Sequence, residues 1–264
     1  MAFDYEKVTW GGGEVVSPTA ADFLDHSLHL RYALEALKNV HGKVTEIGCG
    51  SARFIASVKA ARPDLDTYGC DLSKAALEVA KQHHSRVHFD DAPAEKLPYG
   101  AGTFGAALMI DVLEHLETTG PGLAEVRRIL EPGGVFHLVF PCEGHPLTLH
   151  GRFKPLANLK RKFAGHIQQI SPTALRRLLI DAGFTIDTWK YSYHPLGQLY
   201  DLAVFGSMGL GFDTHGARHR HVESNKGGFS ALKLARKAVS QALYWESRLL
   251  SKVPLGMTVH VTAH

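Results

Sequence analysis

The chain has 264 residues, 45% of them hydrophobic and 21% charged, as expected for one sizeable α/β domain with additions. A net charge of +3 with histidine neutral gives no ground for a nucleic-acid partner. Three cysteines, Cys49, Cys70 and Cys142, form no CxxC pair, which argues against a disulfide framework and for a reducing compartment. The opening MAFDYEKVTW lacks the apolar core of a secretory signal, and no apolar run reaches about 18 residues, so a soluble cytoplasmic protein is expected.

Residues 1–20, with Gly11-Gly12-Gly13 and Ser17-Pro18, read as irregular. A helix is expected from Ala21 to near Gly42, its leucines recurring at three and four. Val44 to Ala52, VTEIGCGSA, is the stretch around which the chain is organised. Val44, Thr45 and Ile47 suit a short buried strand, and Gly48 and Gly50 break it. Ser51 is a good cap for a helix over Ala52–Ala61. Strand, glycine turn and helix open a nucleotide-binding α/β sheet. Glu46, at the strand tip, would repel a pyrophosphate and suits a ligand with a cationic amine.

A second strand, Leu65–Asp71, ends in an acid about 20 residues past the glycines, where ribose hydroxyls are held. A third, at Val87–Phe89, runs into Asp90-Asp91-Ala92. A fourth, Thr103–Ile110, leads straight into DVLEHL. Glu131–Gly134 reads as a turn and Val135–Phe140 as the fifth strand. Glu46, Asp71, Asp91 and Asp111 thus fall at strand ends on one rim, where four carboxylates need cationic or hydrogen-bond-donating partners.

Over about residues 43–141, on EIGCGSA, GCDLS, DDAPAEKLPY, DVLEHL and LEPGG, the chain resembles the class I S-adenosylmethionine-dependent methyltransferases, within the group that carries a VLEHL-type segment. It departs at Ala52, where many members have a third glycine. The resemblance implies S-adenosyl-L-methionine as cofactor and S-adenosyl-L-homocysteine as product. It implies Gly48, Cys49 and Gly50 at the amino-acid end of the cofactor, near Glu46, and Asp71 on the ribose with Leu72 beside the adenine. Asp91, or its neighbour Asp90, would meet the adenine amine, with the Ala92 backbone nearby; Asp111 and Val112 would flank the methionine portion. The leading segment would lie over the pocket, turning His26, His29, Arg31 and Tyr32 to the ligand; the alternative is a helix packed on the sheet edge. His115 is the first candidate for a general base. Asp111, Glu114 and His115 also resemble the metal ligands of some relatives, but no further ligand stands out and no metal is expected.

Past Pro141, His145 and His150 are secondary base candidates. Arg152, Lys154, Lys160, Arg161 and Lys162 form a basic cluster that suits an acidic acceptor or a solvated face. Ser171-Pro172 starts a helix, Phe184–Tyr193 reads as strand six, and Met257–Thr262 as an antiparallel last strand. Residues 195–254 are then an insertion with an apolar segment, a polar stretch (HGARHRHVESNKGG) and an amphipathic helix. It reads as a lid, a homodimer surface or a membrane contact.

The expected architecture is a doubly wound seven-stranded sheet, mostly parallel with an antiparallel last strand, plus an N-terminal helix and a helical insertion between strands six and seven. Residues 1–42 would form the N-terminal segment, 43–194 with 255–264 the cofactor-binding core, and 195–254 the insertion. The expected activity is methyl transfer to a small or medium-sized, or lipid-like, acceptor, with oxygen favoured over nitrogen. The alternative is a non-catalytic scaffold or sensor that binds the same cofactor.

Overall fold

Runs such as Phe104–Ile110 are apolar on both sides, so the strands they form need cover on both faces. The computed structural model, which describes residues 24–152, 154–210 and 231–264, supplies it. The strands are β1 (Lys43–Ile47), β2 (Asp66–Asp71), β3 (His88–Asp91), β4 (Phe104–Ile110), β5 (Leu130–Pro141), β6 (Ile186–Ser192) and β7 (Thr258–Ala263). They form one sheet in the order β3-β2-β1-β4-β5-β7-β6. The first five are parallel, and β7 runs antiparallel to both β5 and β6. This is the doubly wound arrangement read from the sequence.

Helices α1 (Leu24–Ala36), α2 (Arg53–Ala61) and α3 (Lys74–His83) cover one face through Leu30, Ala33, Ile55, Val58 and Leu77. Helices α4 (Thr119–Ile129) and α7 (Pro172–Asp181) cover the other through Leu123, Val126, Leu175 and Leu179. Strand order reverses between β1 and β4, which puts the ligand crevice beyond their carboxyl ends.

Local capping agrees with the sequence at two helices and departs at a third. Ser73 Oγ accepts from the Ala76 N–H at the start of α3, and Ser171 Oγ from the Ala174 N–H at the start of α7. At α2 the cap is Ala52, not Ser51, and it makes no side-chain cap bond. Ala52 has φ 65°, a left-handed conformation that costs a non-glycine residue about 1 kcal/mol. That geometry gives the third glycine of related turns its physical reason. The expected turn at Glu131–Gly134 is a bulge inside β5, exposed at Glu131, Pro132 and Gly133, where the register jumps from Phe104↔Leu130 to Ala106↔Val135.

The segment after β5 folds into α5 (Leu149–Arg152) and α6 (Lys154–Ala164). The insertion holds α8 (Pro195–Gly209) and α9 (Ala231–Leu249); α6 packs on α8, and α9 lies across α1. The glycine-rich N-terminus and the polar stretch 215–228 lie outside the described residues.

Under α1, β5 and β7 bury His137 and His260 next to His29 and Tyr32. Burial, then His29, holds the His137 pKa down to about 3. Burial, then His29 and His137, pushes His260 well below its usual range. The unfolded chain takes up these protons below about pH 6.5 while the folded chain does not, so stability falls as pH drops from there toward 3. Each histidine should remove about 1 kcal/mol between pH 6.5 and 5.5. In denaturant titrations across that window, His137→Leu should lose about that much less than the parent chain. Parallel pH profiles for the two proteins would refute this origin.

Candidate functional site

The glycine turn is tied by backbone to the end of β2. Gly48 and Cys49 N–H both donate to the Cys70 carbonyl, at 2.8 and 3.0 Å. The Gly50 N–H donates to Asp71 Oδ2 at 2.7 Å, and Asp71 Oδ1 accepts from the Ser73 N–H at 2.8 Å. Gly48 has φ 72°, and a Cβ there would lie 2.4 Å from Val112 Cγ2. The turn after β1, the tip of β2 and the segment after β4 therefore meet at one point.

Glu46 stands behind this turn, not on the rim. It is only 3% exposed, and its Oε2 accepts from the Ile55 N–H at 2.9 Å, satisfying an open donor in the first turn of α2. Burial, then Asp71, raises its pKa well above the usual range. The other three acids do reach the rim. Asp71 and Asp91 are paired in register at the tips of β2 and β3, and Lys74 Nζ lies 3.3 Å from Asp91 Oδ2. Asp91 is exposed while Asp90 is half-buried. The Ala92 N–H donates to the Asp71 carbonyl at 3.1 Å. Leu72, beside Asp71, is 61% exposed and offers an apolar surface. Asp111 takes φ 53° at the tip of β4, a strained backbone of the kind found at ligand sites.

Val112 leads into a 3-10 turn, Leu113–His115. The His115 Nδ1–H donates to the Gly165 carbonyl at 3.1 Å, which fixes the tautomer at that nitrogen. Burial, then His166, lowers the His115 pKa to about 4, so the ring is neutral. His166 packs edge-on against it at 5.1 Å. Glu114 is fully buried, neither of its carboxyl oxygens has a hydrogen bond among the described residues, and burial followed by Asp111 raises its pKa well above the usual range. Ligand atoms of Glu114, His115 and His166 lie within 4.8 Å of one another, a set that could hold a metal ion. The sequence reading missed His166 as a member because α6 separates it from the DVLEHL segment.

Two other candidates are taken up by structure. The His145 Nε2–H donates to the Pro254 carbonyl at 2.8 Å, and Nδ1 accepts from the Leu147 N–H at 3.4 Å, so both nitrogens hold loops together. His150 Nε2 lies 2.7 Å from Asp201 Oδ2. Lys160, drawn into the expected basic cluster, is instead 3% exposed and bridges Glu143 (3.1 Å) and Asp201 (2.6 Å). Burial alone would raise Asp201, but Lys160 and then His150 outweigh it and bring the pKa down to about 2. Glu143 Oε1 in turn lies 2.7 Å from His166 Nδ1. A buried chain of charges thus runs from α8 through α6 to the histidine pair.

Of the leading-helix residues, His29 alone reaches the rim among those described, 4.0 Å from Asp111 Oδ2. Tyr32 packs against His260, and Arg31 donates to the Tyr244 hydroxyl of α9. The side chain of His26 lies outside the described residues.

Residues 45–138 match the family described as "Methyltransferase domain". The chain is similar to O-methyltransferase cnsE of Penicillium expansum, 28% identical over 54% of this chain and 52% of that protein, so it spans about half of that relative's length. It is 27% identical to a ubiquinone biosynthesis O-methyltransferase of Alkalilimnicola ehrlichii over 66% of this chain and 74% of that one. An S-adenosylmethionine-dependent methyltransferase from Mesorhizobium loti shares the fold at TM-score 0.56 and 18% identity, over 92% of this chain and 99% of that chain.

Gly48→Ala should destabilise the protein by about 2 kcal/mol or more, through a left-handed Cβ and its clash with Val112. In a Val112→Ala background the clash disappears and part of the loss should return. Thermal melts of the four proteins decide it; strict additivity would break the proposed contact.

Proposed function

We propose that this chain, with its match to a methyltransferase domain over residues 45–138 and its sheet order, is a class I S-adenosylmethionine-dependent methyltransferase that transfers a methyl group from S-adenosyl-L-methionine to the oxygen of a small, lipid-like acceptor. The observation that carries this is the rim: Asp71, Asp91 and Asp111 gathered around a glycine turn in which a Cβ at Gly48 has no room. The residues suit the cofactor. Asp71, held at the β2 tip by the Gly50 and Ser73 N–H groups, would accept from the ribose hydroxyls; Leu72 would pack on the adenine; Asp91, beside the Ala92 backbone, would accept from its amine. Asp111 and Val112 would flank the methionine end, with the backbone of Gly48, Cys49 and Gly50 below. Glu46 supports that backbone from behind.

When bound, the cofactor supplies an electrophilic methyl group. The chain's task is alignment and exclusion of water. His115 is assigned the acceptor's proton, since its neutral ring stands just past the β4 tip. Residues 43–194 with 255–264 would form the catalytic core, and 195–254 would cover the acceptor side. The lipid-like acceptor follows from the quinone-pathway name of one relative and the apolar α8. A cytoplasmic location is part of this proposal.

A second reading of the same site has its own support. A buried carboxyl without hydrogen bonds, as in Glu114, is costly unless it takes a proton or a cation. A divalent ion on Glu114, His115 and His166 would supply Lewis acidity at the acceptor hydroxyl.

Calorimetry should show S-adenosyl-L-homocysteine binding that Asp71→Ala weakens at least about tenfold. No binding by the parent chain would end the proposal. Binding with no radiolabel transferred to a lipid or metabolite extract would instead mark a scaffold or sensor. With an acceptor in hand, His115→Ala should lower kcat about a hundredfold while product binding persists. Activity that survives exhaustive chelation leaves His115 as the base; activity that chelation and Glu114→Gln abolish together assigns the metal.

A further inference from the structure

Three segments end at one corner of the molecule, and each leaves leucines uncovered. Leu147 and Leu149 come from the loop after β5, Leu196 and Leu199 from the first turns of α8, and Leu255 from the approach to β7; all five are exposed. Buried polar groups hold the segments together. Gln198 Oε1 accepts from the Leu149 N–H at 2.8 Å, and its Nε2 donates to the Leu255 carbonyl at 2.7 Å. The His145 Nε2–H donates to Pro254 in the same place. Exposed apolar groups scattered singly need no explanation, whereas five gathered around a buried Gln198 do.

The charge at this corner is mainly basic: residues 144–152, 195–200 and 247–257 contribute Arg152, Arg248 and Lys252. The acid beside them, Glu246, is engaged at the start of α8, where its oxygens accept from the Leu196 and Gly197 N–H groups at 2.9 and 3.3 Å. The Arg152 Nε–H donates to the Pro146 carbonyl at 3.1 Å, which keeps the guanidinium beside Leu147. Arg248 stands 5.7 Å from the ring centroid of Trp245, and that indole is exposed. Leucines for the acyl boundary, an aromatic ring for the interface and basic groups for headgroups make one set. No helix among the described residues is long and apolar enough to cross a membrane.

We propose that this corner docks the protein on the surface of an anionic lipid bilayer, with the leucines inserted and Arg152 and Lys252 against phosphate headgroups. The proposal deepens the lipid-like acceptor reading, because the loop that carries Leu147 leaves the same β5 tip that borders the site. A protein seated this way takes its acceptor from the membrane without leaving it.

The test is flotation of the full chain with vesicles of phosphatidylcholine alone or mixed with phosphatidylglycerol. The protein should float with the mixed vesicles and much less with the neutral ones, and high salt should release it. Leu147→Ser with Leu199→Ser should lower partitioning at least about tenfold. Arg152→Glu with Lys252→Glu should lower it by about fivefold or more per site and erase the preference for anionic lipid. Melting temperature and S-adenosyl-L-homocysteine binding should stay unchanged in both variants, since none of the four side chains touches the rim or the core. Absence of flotation overturns the docking while leaving the cofactor reading intact if product binding persists. A dimer in gel filtration that the leucine variant dissociates also overturns it, and assigns the face to a second copy of the chain.

Discussion

The site depends on one backbone arrangement: two amides of the glycine turn share the Cys70 carbonyl, and a third is held by the Asp71 carboxylate. These bonds fix where β1 hands over to α2 relative to the tip of β2. They also present Asp71 with both oxygens oriented by N–H donors, from Gly50 and Ser73. Val112 closes the arrangement from the β4 side, where a glycine with no Cβ is the residue that fits. The rim acids are therefore placed by main-chain geometry, with little dependence on the flexible side chains around them.

Much of this was legible in the sequence because each part has a local signature. β-branched runs ending at glycine or an acid give the strands, and Ser73 and Ser171 cap their helices in the ordinary way. The reading failed where the deciding partner is far along the chain. Glu46 looks like a rim acid until its Oε2 is found to accept from the Ile55 N–H behind the turn. Ser51 looks like a cap until Ala52 is found in the left-handed region. His166 carries no signal at all, since only the path of α6 brings it to Glu114 and His115.

The histidine pair shows how little residue type says about role. His115 and His145 have the same chemistry, and both follow a strand on the same rim. One ring donates from Nδ1 to the Gly165 carbonyl and meets a second imidazole edge-on; the other holds the Pro254 carbonyl and the Leu147 N–H. The partners each ring meets, not its position in a motif, distinguish the two.

Lys160 has a consequence for how such proteins change their acceptors. Its ammonium is shared between Glu143, which follows β5, and Asp201, in the insertion after β6, and Glu143 also holds His166. Losing one member leaves a buried charge uncompensated, which is far more damaging than losing the whole set together. The two helical excursions, though separated by α7 and β6 in the chain, behave as a single module for recombination. A chimera that exchanged residues 195–254 alone would be left with an unmatched lysine, whereas one that carried 143–166 along would keep Lys160 with both of its partners.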